Sequence, residues 1–95
     1  MRERDIEMKF VRHVLNKGGY ALKLVILAAS GFPDRTVLTS RGNVAFYEFK
    51  APGKKAAPLQ IFWHERLRNL RFKVEVFDNA EAAIEDFDKW HRTLE

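Results

Sequence analysis

The chain is expected to fold as one α+β domain, with helices flanking a mixed four-stranded sheet in the order α-β-β-β-α-β-α. Three observations lead there. Helix-period and strand-period segments alternate over residues 1–95, with no internal repeat and no linker that would divide them. Two short β-prone runs, residues 36–40 and 44–50, are joined by Arg41-Gly42-Asn43, which signals a hairpin. A later strand, residues 72–77, is reached through a helix, and that kind of connection suits a parallel neighbour.

Each element has its own warrant. At about 100° per residue, Ile6, Met8, Phe10, Val11, Val14 and Leu15 cover one broad face of a helix over residues 3–17. Lys9, Arg12 and His13 fall on the other face, with His13 solvated. Gly18-Gly19 ends this helix. "YALKLVIL" (residues 20–27) is aliphatic enough for a largely buried strand, and "AASGFPD" reads as a loop. After the hairpin comes "APGKKAAP", a flexible basic loop whose Pro58 suits the first turn of a helix running to about Leu70. "FKVEVF" alternates as a strand does. "DNAE" (residues 78–81) fits a capping box, Asp78 at the cap and Glu81 three residues later. A last helix follows, with Ala83, Phe87, Trp90 and Leu94 at helical spacing.

Composition narrows the function classes. With 46% hydrophobic and 32% charged residues the chain belongs with soluble globular domains. No apolar run is long enough for a membrane span, and "MRERDIEMKF" lacks the apolar core of a secretory signal. The absence of cysteine excludes a disulfide scaffold and thiolate metal sites and suits a reducing interior, so a cytoplasmic location is expected. The net charge is +4, unevenly spread: residues 1–77 hold 15 Lys/Arg against 7 Asp/Glu, residues 78–95 hold 2 against 6. A basic body with an acidic final helix favours a polyanionic partner, nucleic acid foremost.

Glu48 and Lys50, two apart on a strand, point to one face, while Tyr47 and Phe49 point to the other. Closing the hairpin with a two- or three-residue loop around Gly42 sets Asp34 opposite a residue between 49 and 51. Two carboxylates and an ammonium then gather at one end of a ribbon. Mg²⁺ favours that arrangement, taking one or two carboxylates, several waters and phosphate oxygens. Such an ion polarises a phosphate and acidifies water, and a neighbouring lysine orients water or stabilises charge. Glu7 stands out on the apolar face of the first helix among Phe10, Val11 and Val14. A carboxylate there needs an Arg or Lys partner, a metal ion, or Lys50. Gln60 shares a face with Trp63 and Leu67, so its amide points to the core edge, toward either a backbone group or the lysine, a bound water or a phosphate.

Together these residues resemble the PD-(D/E)xK nuclease superfamily, most closely its VRR-NUC (virus-type replication-repair nuclease) branch. The likeness runs over nearly the whole chain: Glu7, "GFPD" (residues 31–34), "EFK" (48–50), a Pro/Gly loop, "LQIFW" (59–63) and "KVEVF" (73–77). It implies a restriction-endonuclease-like core in which Asp34 and Glu48 bind metal, Lys50 serves catalysis, Glu7 supports the metal site and Gln60 completes it. It also implies Mg²⁺, with Mn²⁺ as substitute, as cofactor. The short chain looks like a stand-alone form from a bacterium or phage-infected cell, similar to Holliday-junction resolvases, which tend to be homodimers. Arg35 departs from the small or aliphatic residue that commonly follows the aspartate. The expected activity is DNA phosphodiester cleavage, branched DNA being a candidate target. An inactive nucleic-acid-binding module of the same fold is the alternative. Arg35, Lys54, Lys55 and Arg66 are the candidate nucleic-acid contacts, Arg68 and Arg71 adding to them. His64 and His91 lack zinc-site spacing, and Trp63 and Trp90 read as core or dimer contacts.

Overall fold

The computed structural model describes residues 2–24, 26 and 29–94, and seven elements follow the expected order. They are α1 (Glu3–Asn16), β1 (Tyr20–Leu22), β2 (Arg35–Leu38), β3 (Val44–Phe49), α2 (Pro58–Asn69), β4 (Lys73–Phe77) and α3 (Ala80–Thr93). The sheet order is β1-β2-β3-β4. The first three strands are antiparallel neighbours, and β4 lies parallel to β3, with Ala45 opposite Lys73 and Phe49 opposite Phe77. The sheet is mixed because a short loop reverses the chain between β2 and β3, whereas α2 carries it back to start β4 from the same end.

β3 is central and buried from Ala45 to Phe49, so its side chains serve two layers in alternation. Ala45, Tyr47 and Phe49 join Ile6, Phe10 and Val14 of α1 and Ala80, Ala83 and Phe87 of α3 in the larger core. The Phe10 ring centre lies 4.5 Å from that of Tyr47 and 5.1 Å from that of Phe49. Burying side chains of this size stabilises the fold by about 1.5–3 kcal/mol each. Phe46 faces the other way, packing with Leu67 of α2, Val74 of β4 and the partly buried Phe32. Glu48 falls on this second side by the same alternation. Tyr47 donates its hydroxyl proton to Asp86 Oδ2 at 2.7 Å, and Asp86 also holds Lys73 at 3.0 Å. Burial first, then Asp86, pushes the phenol's pKa far up and keeps it protonated.

Four expectations change on folding. β1 is three residues long and pairs with β2 alone, through Leu38, Val37 and Thr36. Of the expected strand, Lys23, Leu24 and Ile26 lie beyond β1, and Val25 and Leu27 lie outside the described residues. Tyr20 and Leu22 are exposed, so the strand is not largely buried. Asn79, not Asp78, caps α3, accepting from the Ala82 N–H at 2.8 Å. The helix begins at Ala80, which leaves Asp78 one residue too early; it accepts from the Gly53 N–H at 3.0 Å, and Glu81 pairs with Lys9 at 2.9 Å. His13 is not free in solvent: its Nε2 lies 2.7 Å from Asp88 Oδ1, between α1 and α3.

Candidate active site

The β2–β3 hairpin brings the first two groups together. Thr39 N–H donates to Asn43 O at 3.0 Å, so the loop is residues 40–42, and Arg35 pairs with Tyr47. One step further along the same ladder, Asp34 stands opposite Glu48, one residue short of the expected range. The shift follows from Thr39, whose Oγ1 accepts from both Arg41 N–H and Asn43 N–H at 3.2 Å and closes the turn earlier. Asp34 is fixed by accepting the Phe49 N–H on its Oδ2 at 2.9 Å.

Glu48 is 1% exposed, and its two oxygens differ. Oε2 accepts from Gln60 Nε2 at 3.0 Å, with Lys50 Nζ 3.7 Å away. Oε1 is buried with no hydrogen-bond partner. Burial, then the adjacent Asp34 carboxyl, pushes the Glu48 carboxyl up to about 8, against the pull of Lys50. Two adjacent carboxyls, one of them fully buried, resist ionising together even with Lys50 beside them. Gln60 is oriented from its other end, its Oε1 accepting the Ala57 N–H at 2.7 Å at the start of α2. Pro58 stands at the first helical position, where no N–H is needed.

The approach of the Gly31–Asp34 loop to α2 depends on a missing side chain. Gly31 has φ +87°, and a Cβ there would lie 2.7 Å from the Leu59 carbonyl carbon. This contact seats the start of α2, and therefore Gln60, against the loop that carries Asp34.

No family model matches the chain. A solved structure described as a VRR_NUC domain superposes with a TM-score of 0.83 at 27% identity, covering 92% of this chain and 94% of that one. A protein of Acyrthosiphon pisum secondary endosymbiont phage 1, named "Putative nuclease p44", is 41% identical over 83 residues, 87% of this chain and 89% of that protein. The chain belongs to the VRR-NUC family.

In this VRR-NUC domain Asp34, Glu48, Lys50 and Gln60 converge, while Glu7 and Arg35 find each other. Arg35 Nε donates to Glu7 Oε2, and its Nη1 donates to the Ala21 carbonyl at 3.2 Å. Both side chains are largely buried, so Arg35 is engaged inside the fold, and an Arg partner satisfies the misplaced carboxylate on α1. Among the described residues no three His, Asp or Glu groups converge to hold a metal; the acidic pair is Asp34 and Glu48. Lys54 and Lys55 line a cleft of about 430 Å³ together with His64, Arg68 and Asp78. Arg66 lies elsewhere, over the Phe62 ring at 4.4 Å beside the apolar groove of Trp63 and Leu70.

The VRR-NUC site contains one group, His64, that the sequence pattern excluded as a zinc ligand without placing it at the site. His64 is 2% exposed, with Nε2 3.9 Å from Glu48 Oε1. Burial, then Arg68 and Lys50, lowers its pKa and keeps the ring neutral. The signal was present in the spacing: His64 is four residues after Gln60, on the same side of α2.

Proposed function

We propose that this domain is a Mg²⁺- or Mn²⁺-dependent endonuclease that hydrolyses DNA phosphodiester bonds, branched DNA included. The observation that carries the reading is Glu48, a carboxyl buried beside the Asp34 carboxyl with one oxygen that accepts from no fixed donor. A hard divalent cation fits such a pair, since it wants oxygen ligands from one or two carboxylates. Asp34 and Glu48 would hold it, and Glu7 would join only where its ion pair with Arg35 opens. Bound there, the ion would supply charge neutralisation at the phosphate and a more acidic water.

The protein's own groups do the rest. Lys50, 3.7 Å from Glu48, stabilises charge on the scissile phosphate or orients the attacking water. Gln60 holds the Glu48 carboxylate from α2. Lys54, Lys55 and Arg68 contact flanking phosphates, which gives affinity without sequence preference and makes it fall with salt. A homodimer supplies two sites for paired cuts, and the apolar residues exposed on β1 and β2, among them Tyr20, Leu22 and Leu38, favour it. No described helix is long and apolar enough to cross a membrane. We place the activity in the bacterial cytoplasm or the phage-infected cell.

The test is cleavage of linear, flapped and four-way DNA with Mg²⁺, with Mn²⁺ and with EDTA. Metal-dependent products in the wild type, lost in Lys50→Ala, are expected. Activity in EDTA, or full activity in Lys50→Ala, would overturn the mechanism, and a salt-sensitive gel shift without cleavage under either metal would make the domain a binding module instead.

A further inference from the structure

Two buried polar atoms face each other at this site; neither is paired to a fixed donor or acceptor, and the Glu48 carboxyl has the neighbouring Asp34 carboxyl beside it. Glu48 Oε1 and His64 Nε2 are both shielded from water and lie 3.9 Å apart, too far for a hydrogen bond. A buried donor or acceptor left unpaired is costly, so a fold that buries both at such short range has reason to close the gap. Thr36 Oγ1, also buried without a partner, is the remaining case among the described residues, and it lies on β2.

The helix geometry gives the pair a purpose. Gln60 and His64 stand one turn apart on α2, and Gln60 already grips Glu48 Oε2 at 3.0 Å. We propose that His64 is a positioning residue whose Nε2–H closes onto Glu48 Oε1, so that one face of α2 holds both oxygens of the carboxylate and sets its rotation toward Asp34. A neutral imidazole has one N–H to give, and the tautomer with that proton on Nε2 is the one required. The movement needed is about 1 Å to reach ordinary hydrogen-bond length, within reach of small side-chain rotations. Oε1 keeps a second lone pair, so accepting from His64 leaves it able to face a cation. Partners one step behind a metal-binding carboxylate typically change metal affinity by about 10–100-fold when removed.

The inference rests on the metal-dependent reading above, and the experiment separates the two. Mn²⁺ binding is measured by isothermal titration calorimetry in the wild-type chain and in His64→Leu, His64→Gln and His64→Asn. Thermal melts in EDTA check folding, and electron spin-echo measurements report nitrogen coupling to bound Mn²⁺. Glutamine can set an N–H where Nε2 was; leucine has none, and asparagine is too short. Expected are Mn²⁺ affinity lowered about tenfold or more in His64→Leu and His64→Asn, recovery to within a few-fold in His64→Gln, and no imidazole coupling. If His64→Leu fails to fold, the Gln–Asn difference carries the test. Affinity unchanged in His64→Asn, loss equal in Gln and Asn variants, or a coupled imidazole nitrogen would each overturn the positioning role while leaving the metal site standing. A wild type that binds no Mn²⁺ overturns both.

Discussion

At the scale of single residues, the site is governed by what burial does to charge. Folded and metal-free, Glu48 keeps its proton up to about pH 8, against about 4.5 when unperturbed. Between those values the folded state binds one proton more than the unfolded chain, so stability falls as pH rises, by at most about 1.4 kcal/mol per unit. His64 opposes this below its ordinary pKa near 6.5, because its folded value is lowered and the unfolded chain there holds the extra proton. The fall attributable to Glu48 is therefore clearest between pH 6.5 and 8. Thermal melts in EDTA should show the melting temperature declining across that window, and Glu48→Gln should flatten it. A wild-type curve no steeper than that of Glu48→Gln would contradict the assignment. Arg35 provides the contrasting case. Arg35→Ala leaves Glu7 ionisable and unpaired in a largely buried place, a loss of about 3–5 kcal/mol by chemical denaturation. Replacing the pair together, as Glu7→Leu with Arg35→Met, should recover most of that loss.

At the scale of elements, legibility followed the range of the interaction that decided each feature. The hairpin, the two glycines ending α1 and Pro58 opening α2 are local, and each appears where its residues suggest. β1 does not, because its length is set by its three pairings with Leu38, Val37 and Thr36 of β2 rather than by its own eight aliphatic-rich positions. The register moved by one residue because the Thr39 hydroxyl, a weak signal in sequence, closes the turn. The Asp34–Glu48–Lys50 grouping survived that shift since a hairpin keeps such groups near each other in either register. The Glu7–Arg35 pair and the meeting of His64 with Glu48 were less legible, because each joins two elements whose mutual placement no local pattern encodes. Gly31 belongs to this class too. Gly31→Ala would drive a Cβ into the Leu59 backbone at a φ of +87°, and the left-handed conformation alone costs about 1–2 kcal/mol for an L side chain. The start of α2 must yield, taking Gln60 with it. Gly31→Ala is expected to lower both the melting temperature and Mn²⁺ affinity, whereas Gly42→Ala, in open space at the hairpin tip, should lower only the former.

At the scale of the whole molecule, the sheet is covered unevenly. α1 and α3 back one face around the larger core, while α2 covers the β3–β4 half of the other. β1 ends the sheet, and beside it Tyr20 is 59% and Leu22 41% exposed, with Leu24, Ile26 and Leu38 also open to solvent. An edge strand flanked by this much apolar surface is an invitation to pairing unless another chain covers it. A second copy would do so with a self-complementary contact, the commonest closed arrangement for identical chains. Light scattering on the eluted protein should then give about twice the 11.1 kDa of one chain. Leu22→Lys with Leu38→Lys, which adds charge at the centre of the patch and touches no group of the carboxylate cluster, should give the mass of one chain with an unchanged circular dichroism spectrum. On four-way DNA the same variant should convert paired cuts into single nicks, because each protomer keeps its own Asp34, Glu48 and Lys50. A wild type eluting at the mass of one chain, or a monomeric variant that still cuts both strands together, would remove the dimer from the proposed function and leave the single site intact.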